Sequence, residues 1–242
     1  MKIITAFLLY LLVNNSYCAT FEDGENAYKK GNYSKAMSIW LPLAEQGDAK
    51  AQYKIGKMYD KGQGQKQNYN EAFIWFKVAA EKNNVEAQAA IGEMYLIGEG
   101  VKQDNIEAFK WNKIAAIQGE PTGQNNLGVM YAAGMGVEKN YKEAMKWFEL
   151  SLKNEESYDG YINLGWSYEN GFGVEKNYVK AADFYQKAIN LGIKTGAEEK
   201  KIIQTKKRLE NIKFKLEQIN FTNEVNLNNS KNLSNDPLNI RD

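Results

Sequence analysis

The sequence predicts an all-α solenoid of about five helix pairs closed by a C-terminal helix, and three observations predict it. One segment is written four times: Ile55-Gly56 with Tyr59, Ile91-Gly92 with Tyr95, Leu127-Gly128 with Tyr131, and Leu164-Gly165 with Tyr168. Its glycines are spaced by 36, 36 and 37 residues. A fixed period of this size marks stacked helical repeats, each of which buries its apolar face on its neighbours. Each segment is followed by paired glycines: Gly62 and Gly64, Gly98 and Gly100, Gly134 and Gly136, Gly171 and Gly173. Only three prolines occur in 242 residues, which suits long helices.

Residues 1–19 form a separate object. Met1-Lys2, an apolar run from Ile3 to Val13 and the short stretch Ser16-Tyr17-Cys18-Ala19 describe a secretory signal peptide, cut at or just after Cys18. The apolar run is too short to span a bilayer of about 30 Å, so no stable membrane insertion is expected after cleavage. Bulky Tyr17 stands where a lipoprotein would need a small residue. Cys18 is the only cysteine, so no internal disulfide can form.

Residues 21–47 fit a first, shorter helix pair, with Ala27-Tyr28, a tight turn at Gly31-Asn32, then Ala36 and Trp40. Residues 48–196 hold four full copies. In each, a first helix carries the Gly and Tyr at helical spacing, as in Ala49 to Lys61 with Ala51, Ile55, Gly56 and Tyr59. The second helix opens at Asn68, Asp104, Asn140 or Asn177. A Glu three residues later (Glu71, Glu107, Glu143) gives the capping-box pattern, and Lys180 in the fourth copy predicts a weaker cap. Within the second helix, Ala72 with Trp75, Ala108 with Trp111, Ala144 with Trp147 and Ala181 with Phe184 supply close approach and an aromatic between adjacent pairs. Gly47, Asn83, Gly119 and Gly192 are expected at the ends of second helices. Residues 197–219 read as a capping helix with Ile202, Leu209, Ile212, Leu216 and Ile219 on one stripe. Residues 220–242, with eight Asn, read as a disordered tail.

Ala-x3-(Leu/Ile)-Gly-x2-Tyr, Gly-x-Gly and Asp/Asn-x3-Ala-x2-Trp together resemble the Sel1-like repeat, a relative of the tetratricopeptide repeat, over roughly Phe21 to Gly196. The first pair is more like an ordinary tetratricopeptide unit. The resemblance implies a right-handed superhelix of antiparallel helix pairs that acts as a protein-protein adaptor. It also implies a bacterial, exported member working in signalling, envelope complexes or host contact. Some secreted relatives carry a disulfide in each repeat and bind penicillin, whereas this chain lacks those cysteines.

The candidate chemistry is thin. A net charge of +1 gives no pull toward nucleic acid. The absence of His removes the commonest general base and metal ligand. The Gly-x-Gly loops precede helix N-termini as phosphate cradles do. No P-loop Lys-Ser/Thr follows them, however, so they read as turn glycines. Neither catalytic residues, nor a cofactor, nor a metal is expected. The second function considered is a cell-wall or β-lactam-binding protein, or a weak hydrolase, using groove carboxylates.

The expected partner is a protein or peptide, held on the concave face that first helices line in related repeats. The inward positions are Lys50, Tyr53, Lys57 and Asp60; Glu86, Ala89, Glu93 and Leu96; Thr122, Asn125, Val129 and Ala132; Asp159, Ile162, Trp166 and Glu169. These vary between copies while their framework neighbours repeat. Trp166 has Lys57, Glu93 and Val129 as its equivalents, so the fold does not require an aromatic there. Two readings stand for it: a partner anchor, or packing on the C-terminal helix. The basic C-terminal helix (Lys200, Lys201, Lys206, Lys207, Arg208, Lys213, Lys215) either caps the stack or lies on anionic lipid.

Overall fold

The computed structural model describes residues 19–234, with side chains to residue 226. The expected signal peptide, including Cys18, and the last eight residues of the expected tail lie outside the described residues. All regular structure among the described residues is α-helical: α1 (Phe21–Lys29), α2 (Tyr33–Glu45), α3 (Ala49–Lys61), α4 (Tyr69–Glu81), α5 (Val85–Ile97), α6 (Asn105–Ile117), α7 (Pro121–Ala133), α8 (Tyr141–Asn154), α9 (Tyr158–Asn170), α10 (Tyr178–Thr195) and α11 (Glu199–Ser234). The described residues divide into two compact units that meet between Ile114 and Ala115. In the first, α1 packs on α2, α2 on α3, α3 on α4 and α4 on α5. In the second, the same succession runs from α7 to α11.

The repeated glycine of each first helix is explained by what faces it. A methyl group built on Gly56, Gly128 or Gly165 falls 2.6, 2.5 and 2.7 Å from the ring of Phe76, Phe148 and Tyr185. Gly24 faces Trp40 in the same way, and Gly92 faces Asn112. The core knob of each pair is thus the residue after the repeated aromatic, a position the sequence reading missed. Trp75, Trp111 and Phe184 sit half-buried and pack on the cluster of the preceding pair, as expected. A further buried series, Gln52, Gln88 and Gln124, donates from Nε2 to the carbonyls of Ala44, Ala80 and Ala116 at 2.9, 3.3 and 3.1 Å. Each bolts a first helix to the end of the second helix before it. Tyr161 occupies this place in the fourth full copy and donates to Glu156 at 2.6 Å.

The loops also do more than turn. Gly171, Gly173 and Gly196 share φ values of 75, 75 and 74°. A side chain on Gly173 would overlap the carbonyl oxygen of Tyr141, at the start of the previous repeat's second helix, and Gly100 stands in the same relation to Tyr69. The second loop glycine therefore clamps one repeat onto the last.

Four expectations need correction. The caps at Asn68, Asp104, Asn140 and Asn177 accept backbone N–H bonds as predicted. Their own N–H groups, however, donate to the carbonyls of Tyr59, Tyr95, Tyr131 and Tyr168 at 2.8–3.0 Å. The reciprocal half of the box is thus already satisfied. Glu107 and Glu143 instead pair with Lys110 and Lys146. The fourth cap, with Lys180, is no weaker for lacking Glu: Asn177 accepts from Lys180 N at 2.9 Å. Gly192 does not end its helix. It is buried inside α10 against Tyr158 and Ile202, and Gly196 is the left-handed cap. Finally, α11 runs past Ile219 to Ser234, because no Gly or Pro interrupts it before Pro237.

Candidate functional site: the first-helix face

In the first unit, three successive first helices, α1, α3 and α5, line a cleft of about 370 Å³. Phe21, Glu22 and Glu25 come from α1, Lys50, Tyr53 and Lys54 from α3, and Asn84 and Glu86 from the start of α5. Three residues of the sequence-predicted face, Lys50, Tyr53 and Glu86, converge here. Tyr53 is half-buried, with its ring 5.7 Å from that of Phe76, so the core fixes its orientation. Lys50 and Glu86 are exposed.

Beneath them lies a fixed charge. The Lys54 ammonium is 2.6 Å from Glu25 and stands 5.7 and 6.0 Å from the ring centroids of Trp40 and Tyr28. A cation over aromatic faces beside a carboxylate is attracted by both. Lys57, one turn on, is held below the usual lysine range, first by burial and then by the charges of Lys54 and Lys61. Lys61 is raised, chiefly by its hydrogen bond to Asp60 at 2.9 Å. Lys57, Asp60, Glu93 and Leu96 thus continue the same face beyond the cleft, and Ala89 is buried in α5.

The second unit treats its share of the predicted positions differently. Asn163 on α9 donates to Asn125 on α7 at 2.9 Å. Val129 packs against the cluster of Ala144, Met145, Phe148 and Leu164. Ile162 packs against Ala181, Tyr185, Leu209 and Ile212. Glu169 accepts from the Tyr185 hydroxyl at 2.8 Å and pairs with Lys215 of α11 at 3.3 Å. Burial and this donation to Glu169 push the Tyr185 hydroxyl above the usual tyrosine range. The Trp166 ring lies 4.5 Å from that of Phe172, which stacks on Tyr141 at 4.4 Å. Phe172 is the middle residue of the Gly-x-Gly loop, where other copies have Gln63, Glu99 and Met135. Trp166 and Phe172 depart from the repeat together.

Sequence reasoning missed Phe21, Glu22 and Glu25 because the first helix of the first pair was not aligned with the later first helices, and Lys54 because it lies beside the predicted inward positions of α3. Gly24, buried against Trp40 as Gly56 is against Phe76, is the signal that aligns α1 with α3. Among the described residues no cluster of Asp, Glu, Cys or His is arranged to hold a metal ion. No described helix is long and apolar enough to cross a membrane.

The sequence profile of the Sel1 repeat matches residues 17–48, 49–84, 85–120, 121–154 and 159–193. The chain belongs to the Sel1 repeat family. The profile includes the first pair, which the sequence reading set apart as tetratricopeptide-like. Sel1 repeat proteins generally serve as protein-interaction scaffolds and are typically non-enzymatic. A Sel1 repeat protein from Oxalobacter formigenes is 34% identical over 72% of this chain and 70% of its own, with a TM-score of 0.64. A protective antigen of uropathogenic Escherichia coli strains is 38% identical over 64% of this chain, with a TM-score of 0.58. This chain spans only 33% of the antigen's length. A putative Sel1 repeat protein from Klebsiella pneumoniae, at 22% identity and a TM-score of 0.52, shares the fold. Among curated proteins nothing matches the sequence.

Proposed function

We propose that this Sel1 repeat chain is an exported scaffold that holds a protein or peptide partner on the first-helix face of its first unit. The observation that carries the reading is the cleft where α1, α3 and α5 meet. It presents an aromatic whose back is packed into the core, exposed Lys50, Glu22 and Glu86, and the Lys54–Glu25 ion pair as its floor. A pre-ordered aromatic among charges of both signs offers an anchor at little entropic cost, with charges to set orientation. The second unit offers less, because Asn125, Val129, Ile162 and Glu169 are engaged by their own neighbours.

Export rests on the N-terminal pattern of residues 1–19. Envelope assembly or host contact is the setting this gives the scaffold. Two experiments test the reading. Fractionation with N-terminal mass spectrometry should find mature chains beginning near Ala19 outside the cytoplasm, and a cytoplasmic full-length chain would refute export. Affinity capture should find a partner that the wild type holds and that a folded Lys50→Glu, Tyr53→Ala variant loses by at least about tenfold. Equal capture by both would move the site off this cleft.

A further inference from the structure

The folded body begins almost at the expected cut. Thr20 closes a full capping box with Asp23: its N–H and its hydroxyl both donate to Asp23 Oδ2 at 2.8 Å, and Asp23 N–H donates back to Thr20 Oγ1 at 3.3 Å. The Thr20 carbonyl accepts from Asp23 N and Gly24 N at 3.1 and 3.4 Å. The next residue is pinned as well. Phe21 stacks on Trp40 with ring centroids 5.6 Å apart, and its carbonyl accepts from Trp40 Nε1 at 3.0 Å. Trp40 is fully buried. Ala19 is half-buried and lines a cleft with Asp23 and Ala27 of α1 and Ile39 of α2. From Ala19 onward no residue is left over as a linker.

We propose that this arrangement times the removal of residues 1–18: the Cys18–Ala19 bond is cut only while α1 and α2 are unfolded, and a chain that folds first keeps its apolar N-terminal segment. The inference rests on the export reading above. A signal peptidase reads the small residues Ser16 and Cys18 and holds its substrate extended on both sides of the bond it cuts. Water adds across that bond, leaving a carboxyl group on Cys18 and an amino group on Ala19. One residue spans at most about 3.6 Å, so the bond stands about 4 Å along the chain from Thr20. Thr20 is itself extended, with φ −91° and ψ 166°, but both its main-chain groups are taken. An active site closing over the bond has to draw Thr20 and Phe21 away from Asp23 and Trp40. Opening of the first helix pair therefore precedes cutting, and where opening is fast the rate follows the open fraction. Only a chain that leaves the cytoplasm unfolded yields the mature scaffold.

The test is digestion of the purified, folded full chain by signal peptidase in detergent micelles, read by N-terminal mass spectrometry. Two variants keep residues 1–20 unchanged. A Thr-Gly-Ser-Ala insert between Ala19 and Thr20 moves the bond off the folded body and preserves the residues on either side of the cut. Gly24→Leu drives a side chain into the Trp40 ring and opens the pair. Both variants should be cut at least about tenfold faster than the wild type. Equal rates for all three would overturn the proposal and leave export standing. No cut before Ala19 in any of them would overturn the export reading and the proposal with it.

Discussion

Replacing Gly171, Gly173 and Gly196 by Ala, one at a time, separates two roles that positive φ alone would merge. All three have φ within one degree of 75° and all lie in the second unit. Around Gly196 nothing stands within 4 Å, so Gly196→Ala carries only the left-handed strain of an L residue, about 1–2 kcal/mol. At Gly171 the nearest atoms, Lys176 Cβ and N, lie at 3.5 Å, an ordinary contact, so a similar loss is expected. The added methyl at Gly173 overlaps the backbone carbonyl of Tyr141, which cannot rotate away. Separating the loop from α8 adds an overpacking term of about 1–3 kcal/mol, for a total near 3–4. For a chain of this size that is about 10 °C in Tm, against about 4 °C for the other two variants. Thermal unfolding followed by circular dichroism at 222 nm reads all three. Equal losses would refute the clamp and leave the second loop glycine a turn residue only.

Other expectations follow from the same contacts. Gln88→Leu removes the side-chain donor to the Ala80 carbonyl, which keeps its bond from the Asn83 N–H, and should cost about 1 kcal/mol in urea unfolding, whereas a neutral result would remove the bolt from the account. Asn177→Ala should cost about 1 kcal/mol. Lys180→Glu should bring no gain, since the Asn177 N–H is already taken by Tyr168; a stabilised Lys180→Glu variant would restore the capping-box reading. The Tyr161 hydroxyl is pushed up to about 12, chiefly by burial and then by its hydrogen bond to Glu156. A folded pKa above the unfolded value of about 10 favours the neutral phenol in the fold. Its contribution is therefore whole below about pH 10 and is lost as pH rises toward 12. Tyr161→Phe should flatten the alkaline fall in stability measured between about pH 10 and 12, and an unchanged slope would contradict the assignment.

The repeat was legible because it is written in residues with one structural meaning each. The Ile/Leu-Gly pair, the tyrosine, the paired glycines and the Asn/Asp caps recur at fixed spacing and build the same contacts each time. The core knob was hidden because its chemistry changes, from Trp40 through Phe76, Asn112 and Phe148 to Tyr185, while only the facing glycine stays constant. Glu71, Glu107 and Glu143 misled because a local pattern was read without the tyrosine carbonyl that a tertiary contact delivers. Gly192 misled because close approach to Tyr158 and Ile202 also calls for glycine, inside a helix as well as at its end. On the first-helix face, variation between copies pointed to Lys50, Tyr53 and Glu86, which line one cleft in the first unit. In the second unit it could not separate a free position from one such as Glu169, whose variation answers to Tyr185 and Lys215.

The central claim is that partners are held where α1, α3 and α5 meet. A photoreactive benzoylphenylalanine placed at Tyr53 or at Glu86, with Val78 on α4 as the control position, tests it in cells. The same cross-linked partner should appear from positions 53 and 86, vanish with Lys50→Glu, and be absent from position 78. A partner cross-linked equally from position 78, or from neither cleft position, would contradict the account.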